Sequence, residues 1–152
     1  MTIEDFIVNY NQTFIYLHEK HGKSFVVDLW KRLSVEFCYK LEKMVAQEGL
    51  KGYNQFFYGK EGTASREHVY GEATYNEEEG FYERIDKCPS VQSLIDRKKK
   101  IYRYYCEHCY WLYAHSLEKH GYRYDEDYSL QEEGFPVLEC TFRAFKNDSA
   151  GN

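Results

Sequence analysis

The sequence lacks a long apolar run and lacks an excess of positive charge. No stretch approaches the roughly 20 apolar residues that a membrane-spanning helix needs. The formal net charge is −5 over 152 residues, which opposes binding to nucleic acid or to an anionic membrane surface. The one basic run, residues 97–100, is short, and we interpret it as a solvated face. We therefore expect neither nucleic acid nor membrane as a partner.

The sequence also lacks the features of an exported protein. Its first residues, MTIEDFIVNY, carry acids where an export signal would be basic. The five cysteines are an odd number, which argues against a complete disulfide framework. We expect a cytoplasmic protein with reduced thiols. Its expected partner is a small molecule, and a homodimer remains an open alternative.

What the sequence does have is aromatic side chains, with 16 Tyr and 10 Phe. Tyrosine buries a large ring and keeps a polar tip for hydrogen bonding. This composition suits a core that surrounds a small polar ligand, and it equally suits a plain aromatic core. The length is that of one domain, which we place at residues 1–146, followed by a tail at residues 147–152.

The first third of the chain has helical spacing of apolar residues. It predicts helices over residues 2–21 and 24–47, which form a helical hairpin within residues 1–48. Thr2 and Asp5 have the spacing of a capping box, and Gly22 ends the first helix. Cys38, on the second helix, is predicted to be a buried and inert thiol.

The period changes to alternation after Gly62. We predict two strands within residues 66–88 and further strands over residues 122–129 and 137–146. A long helix, with a break near the basic run, joins the two pairs. Residues 63–146 would then form an antiparallel sheet of about four strands with the long helix across it. The fold class is α+β.

Four cysteines are predicted to converge in the interior. Cys106 and Cys109 are three residues apart and share one helix face. Cys140 lies on the apolar face of the last strand, and Cys88 ends a strand just before a helix. Packed thiols, a redox pair and a metal site that uses all four remain open at this point.

The position of each cysteine favours some of these alternatives over others. A mid-helix Cys106–Cys109 pair is unlike a zinc knuckle or a thioredoxin-like pair. Cys88 is the best-placed nucleophile, because a helix start lowers a thiol pKa and offers free amides to an anion. His108 is predicted to point away from Cys109, since neighbouring helix positions differ by about 100°. It would face the same way as Trp111 and His115.

The segments RIDKCP and EGFPVLECTFR, with a helical cysteine between them, resemble the L-2-amino-thiazoline-4-carboxylic acid hydrolase-like family. The resemblance covers about the last 65 residues. The chain departs from the family pattern at Cys109 and Thr141, where the family carries acids. The matching residues are Cys88, Pro89, Cys106, Gly134, Cys140, Phe142 and Arg143.

The resemblance implies hydrolytic opening of a small cyclic amidine that bears a carboxylate. Such a site needs a nucleophile, a proton donor and a cation. In this reading Cys88 is the nucleophile, Arg143 binds the carboxylate, and His108 or Asp86 carries the proton. The other site residues it implies are Cys106 and Cys140 for catalysis and Tyr105 and Trp111 for the substrate.

A non-catalytic domain is the alternative. It would bind zinc or an iron–sulfur cluster through Cys88, Cys106, Cys109 and Cys140, or would sense a small ligand there. A purely structural subunit is a third class that the sequence leaves open.

Overall fold

The computed structural model describes residues 2–147, so the predicted tail beyond Asn147 lies outside the described residues. These residues form six helices and five strands. The helices are α1 (Ile3–His21), α2 (Lys23–Phe37), α3 (Tyr39–Glu48), α4 (Leu50–Tyr58), α5 (Pro89–Asp96) and α6 (Glu107–Glu118). The strands are β1 (Ser65–His68), β2 (Gly71–Asn76), β3 (Gly80–Ile85), β4 (Tyr122–Leu130) and β5 (Pro136–Lys146). Within residues 2–147, none of the helices combines the length and the apolar character needed to cross a membrane.

Helix α1 begins with the predicted capping box. The Asp5 amide donates to Thr2 Oγ1 at 3.2 Å, and the Thr2 amide donates to the Asp5 carboxylate at 3.1 Å. Gly22, with φ of +83°, ends the helix. The predicted second helix is wrong in one respect, because the chain bends at Cys38 and divides it into α2 and α3. The apolar spacing runs through both helices and therefore does not reveal the bend.

The sheet has five strands rather than about four, in the order β1-β2-β3-β5-β4, and all neighbours are antiparallel. The first predicted strand is two strands, because the chain turns back at Val69 and Tyr70. Gly71 follows with φ of +153°, and a side chain there would collide with the Arg84 carbonyl. Val69, in this turn, is 90 % exposed.

One face of the sheet carries the helices and the other faces solvent. On β5 the side chains of Leu138, Cys140 and Phe142 alternate inward as predicted, while Arg143 is exposed. The register aligns Glu83 of β3 and Glu126 of β4 on either side of Phe142. Two acidic side chains therefore occupy the helix-covered face of the sheet.

Two apolar clusters lie beneath the helices. One contains Tyr53, Phe81 and Leu117, and the other contains Phe14 and Trp30. Helix α6 belongs to both clusters: Ala114 and Leu117 lie in the first, and Trp111 packs against the second. Burying a large apolar side chain contributes about 1.5–3 kcal/mol to the free energy of folding. Packing against both clusters therefore stabilises the position of α6.

The predicted break in the long helix is confirmed, because residues 97–106 separate α5 from α6. Lys98 has a positive φ of 52°, which breaks the helix at the basic run. The buried side chain of Asn11 then holds the connecting segment. It donates to the Lys100 carbonyl and accepts from the Tyr102 amide, each at 2.8 Å. These two hydrogen bonds fix the segment that leads into α6, and the cysteine pair lies at the start of α6.

Candidate active site

A large cavity opens between α1, α2, α5 and the start of α6. Its volume is about 1240 Å³. Its deep wall includes Tyr10, Cys38, Tyr105, His108 and Leu112. Tyr105 and Cys38 are buried, as predicted for Cys38, whereas other lining residues are exposed and mark the mouth. The predicted substrate-binding residue Tyr105 therefore lines this cavity.

The cysteine pair lies at the start of α6 and not in the middle of a helix. Cys106 is the residue that precedes the first helical position, and Cys109 lies in the first turn. The prediction of a mid-helix pair is wrong because the helix breaks at Lys98 and the next one begins only at Glu107. A helix start is where a redox-active pair would lie. Burial nevertheless raises the pKa of both thiols, whereas thiol–disulfide exchange needs a thiolate.

The central feature of the site is a contact between His108 and Cys109. The Nε2 atom of His108 is 3.5 Å from the Cys109 sulfur. On its other side the ring makes a short hydrogen bond with the Tyr105 carbonyl through Nδ1. A carbonyl only accepts, so Nδ1 carries the proton and Nε2 is free to accept from the thiol. The result is a thiol, an imidazole and an orienting carbonyl in sequence.

This arrangement overturns the prediction that His108 points away from Cys109. The 100° step separates the Cα–Cβ directions of the two residues. The imidazole, however, turns back to the carbonyl of Tyr105, and this rotation carries Nε2 to the neighbouring sulfur. His115, expected to share a face with His108, is exposed.

Burial makes the Cys109–His108 pair neutral at rest. It lowers the pKa of His108 to about 4, against the opposing effect of the hydrogen bond to Tyr105. It also raises the pKa of Cys109 well above the usual thiol range, and the charges of Glu126 and Cys88 add to this. Both side chains are nevertheless partly accessible. His108 lines the cavity, whereas Cys109 does not line it and meets the ring at Nε2.

The other thiols surround this pair. Cys88, Cys106 and Cys140 are near enough to one another and to Cys109 that a charge on one raises the pKa of the others. The prediction that these four thiols converge in the interior requires them to lie this near to one another. However, among residues 2–147 no three His, Cys, Asp or Glu side chains are arranged to hold a metal ion. The geometry gives no support to the four-thiolate metal site.

Cys88 occupies the helix start predicted for it, just before α5. The amides of Ser90 and Val91 lower its pKa, but burial raises the pKa by more, and neither amide makes a capping hydrogen bond of normal geometry. The expected thiolate at this helix start is therefore not favoured. At this position the effect of burial on the thiol pKa exceeds that of the helix start.

Glu126 is a site residue that the sequence analysis missed. Burial raises its pKa to about 8, opposed by the Tyr110 amide, so the carboxyl group is largely protonated at neutral pH. Its Oε2 atom has no hydrogen-bond partner among the described residues. On β4 the side chains of Tyr124, Glu126 and Tyr128 alternate with exposed ones. This alternation is the signal that could have predicted an inward-facing Glu126.

Three other predicted site residues lie elsewhere. Arg143 is exposed on the outer face of the sheet, where its guanidinium lies 5.6 Å from the Tyr82 ring centre. Strand alternation turns it away from the inward-facing Phe142, so it cannot bind a carboxylate in the cavity. Asp86 is exposed and paired with Arg84 at 2.8 Å. Trp111 is partly buried, lies 4.7 Å from Lys31 Nζ and does not line the cavity.

Comparison of the chain with family models, with curated proteins and with solved structures gives no match. The argument for function therefore depends on the site alone, and the resemblance to the thiazoline hydrolase-like family stays a prediction.

Proposed function

We propose that the protein is a cysteine-dependent hydrolase that opens a small heterocyclic carboxylate of the thiazoline or amidine type. The observation that carries the proposal is the 3.5 Å contact between Cys109 Sγ and His108 Nε2, with the ring oriented by the Tyr105 carbonyl. A nucleophile, a base within reach and a third group that orients the base are the usual signature of covalent catalysis.

In the proposed reaction, Cys109 takes the role first assigned to Cys88. His108 accepts the thiol proton as the sulfur forms a bond to the amidine carbon. The ring carbon–sulfur bond then breaks, and the leaving sulfur takes the proton from His108. Water adds to the amidine carbon and gives a proton to His108, the carbon–Cys109 bond breaks, and the Cys109 sulfur takes that proton back from His108. One water is consumed, nothing is oxidised or reduced, and the product is a urea.

A neutral resting pair suits this sequence of steps. A base with a pKa near 4 is unprotonated at neutral pH and ready to accept a proton. Transfer from a buried neutral thiol to a buried neutral imidazole creates an ion pair, which a bound electrophile would consume as it forms. Because Cys109 is not a resting thiolate, we expect slow reaction with simple alkylating agents and faster reaction with ligands that fit the cavity.

Lys87 is the proposed carboxylate ligand in place of Arg143. It lines the cavity next to α5 and makes no ion pair with the other described side chains. Arg97 also lines the cavity, but it is already bound to Asp5 at 3.0 Å. Ser93, on the same wall, has a buried hydroxyl oxygen without a hydrogen-bond partner in residues 2–147.

Labelling with a haloacetamidine tests the proposal, because this reagent places an amidine beside an electrophilic carbon. We expect mass spectrometry of peptides to find the label on Cys109. We expect Cys109→Ser to lose the label and to lower turnover of 2-amino-thiazoline-4-carboxylate by about 10³-fold or more. Circular dichroism would verify that the variant is folded.

Cys38→Ser is the matched control, since Cys38 lines the same cavity but makes no contact with a histidine. We expect it to keep both labelling and turnover. Labelling of Cys88 together with full turnover by Cys109→Ser would refute the proposal and restore the first assignment. Binding of the amidine without turnover by the wild type would favour the non-catalytic, ligand-sensing alternative, which the high pKa of Cys109 also suits.

A further inference from the structure

The cavity is much larger than the heterocycle that the proposed reaction needs. Ligand sites usually measure about 300–1,000 Å³ and hold a drug-sized molecule. This cavity measures about 1240 Å³, whereas a thiazoline carboxylate is a single five-membered ring with a small substituent. The excess space is the observation to be explained.

The wall of the cavity is divided by chemistry. Helices α1 and α2 contribute mainly apolar side chains, among them Phe6, Ile7 and Leu33. The segment from Lys87 to Arg97 contributes most of the charged and hydroxyl-bearing side chains. A ligand that fits both sides has a polar head beside α5 and an apolar body against α1 and α2.

The apolar side continues to the mouth. Phe6 is 50 % exposed and Phe37 is 72 % exposed, and both line the cavity together with Ile3 and Val69, which are exposed as well. Large apolar side chains grouped around an opening mark a binding groove. The cavity extends from this opening inward to Tyr105 and His108. A partner protein with a flat surface could not fill it.

We propose, on the basis of the hydrolase function above, that the substrate carries an extended apolar substituent, an alkyl chain or an aryl group. The heterocycle lies at His108, the carboxylate at Lys87, and the apolar substituent between α1 and α2. The substrate class is thus an amphiphilic heterocyclic carboxylate and not the bare ring.

A homologous series of ligands tests this inference without relying on catalysis. The series is 2-alkylamino-thiazoline-4-carboxylates with no alkyl carbon, four and eight. Their binding to the Cys109→Ser variant is measured by calorimetry. A buried methylene is worth about 0.8 kcal/mol, so we expect affinity to rise about fourfold for each methylene that enters the cavity. Equal affinity for all three ligands would overturn the inference.

Two exposed phenylalanines provide a matched pair of variants. Phe6→Ser alters the cavity wall, and Phe25→Ser alters an aromatic side chain that is 46 % exposed and does not line the cavity. We expect Phe6→Ser to weaken binding of the eight-carbon ligand at least tenfold, as the loss of a large apolar contact implies, and Phe25→Ser to leave it unchanged. Equal effects of the two variants would contradict the assignment of the apolar wall.

The outcomes separate this inference from the hydrolase proposal. If affinity rises with chain length but the wild type hydrolyses none of the ligands, the amphiphilic ligand class stands and the hydrolase function fails. If the bare ring is hydrolysed and the alkyl groups add nothing, the hydrolase stands and this inference fails. A change of oligomeric state in Phe6→Ser, seen by sedimentation without any loss of ligand affinity, would assign the mouth to a second copy of the chain and would also overturn the inference.

Discussion

Two buried carboxylates, Glu83 and Glu126, lie on the same face of the sheet, yet their surroundings differ. Both flank Phe142, Glu83 on β3 and Glu126 on β4. Burial raises the pKa of both. The comparison is useful because strand position, depth and chemical group are alike and only the neighbours change.

Glu83 has two side-chain partners on one carboxyl oxygen. Tyr58 donates to its Oε1 atom at 2.6 Å, and His68 Nε2 lies 3.5 Å from the same oxygen. Tyr58 and His68 also contact each other at 3.4 Å. These three side chains close a polar cluster beside β1 that does not line the large cavity. A satisfied polar cluster of this kind stabilises one arrangement of the strands.

Glu126 is less completely paired, although the Tyr110 amide contacts its carboxyl group. Its Oε2 atom makes no hydrogen bond within the described residues, and its neighbours are thiols. Leaving a buried polar atom unpaired costs about 1–3 kcal/mol. Glu126 carries this cost next to the thiol cluster. The difference is between a paired acid that stabilises the strands and an unpaired carboxyl oxygen that lies among the proposed catalytic thiols.

The largest expected difference lies between the two histidines. Replacing a general base typically costs about 10²–10⁴-fold in rate, so we expect His108→Gln to lower turnover of the thiazoline substrate by at least that lower bound. His68 belongs to the Glu83 cluster, and we expect His68→Gln to change turnover little. Steady-state kinetics at pH 7 measures both variants. Equal losses would break the distinction between a catalytic and a structural cluster.

The next effect concerns the pH dependence of stability. The pKa of Glu126 is about 8 in the folded chain and 4.5 ordinarily. A raised pKa means that the folded state holds this proton more tightly, so its contribution to stability is complete below pH 4.5 and is lost as the pH rises to about 8. At about 1.4 kcal/mol per pKa unit, the loss is on the order of 5 kcal/mol.

The variant Glu126→Gln removes this titration. We expect the free energy of unfolding, measured in urea at pH 5, 7 and 9, to fall less with pH in the variant than in the wild type. The difference between the two slopes is the measured quantity, since other groups titrate in both proteins. Parallel pH profiles would show that Glu126 titrates normally and would remove it from the site.

The smallest expected effect comes from the structural cluster. Tyr58→Phe removes the hydrogen bond to Glu83 and leaves that buried carboxyl with His68 alone. We expect a loss of about 1–3 kcal/mol in unfolding free energy, with turnover unchanged. Tyr110→Phe is the control, because its hydroxyl donates to the exposed Glu118 at 3.2 Å. An equal loss of unfolding free energy in both variants would mean that burial of the Glu83 cluster adds nothing to the contribution of its hydrogen bond.

Much of the fold follows from local sequence signals. The capping box at Thr2, the stop at Gly22 and the alternation along β5 are confirmed because each depends on residues that are neighbours in the chain. The α+β class and the antiparallel sheet are confirmed for the same reason. The bend at Cys38 was missed because the apolar spacing continues across it. The turn before Gly71 was missed because it is only two residues long.

The sequence by itself determined which chemical groups this protein has and on which faces most of them lie, because periodicity sets the direction of each Cβ. Only the tertiary structure decided how they meet. The Asn11 side chain holds the segment between α5 and α6, and the Tyr105 carbonyl turns the His108 ring toward Cys109. Burial then outweighs the helix dipole at Cys88 and raises the pKa of Glu126. Side-chain rotation and desolvation depend on neighbours that are distant in the chain, and no local pattern specifies them.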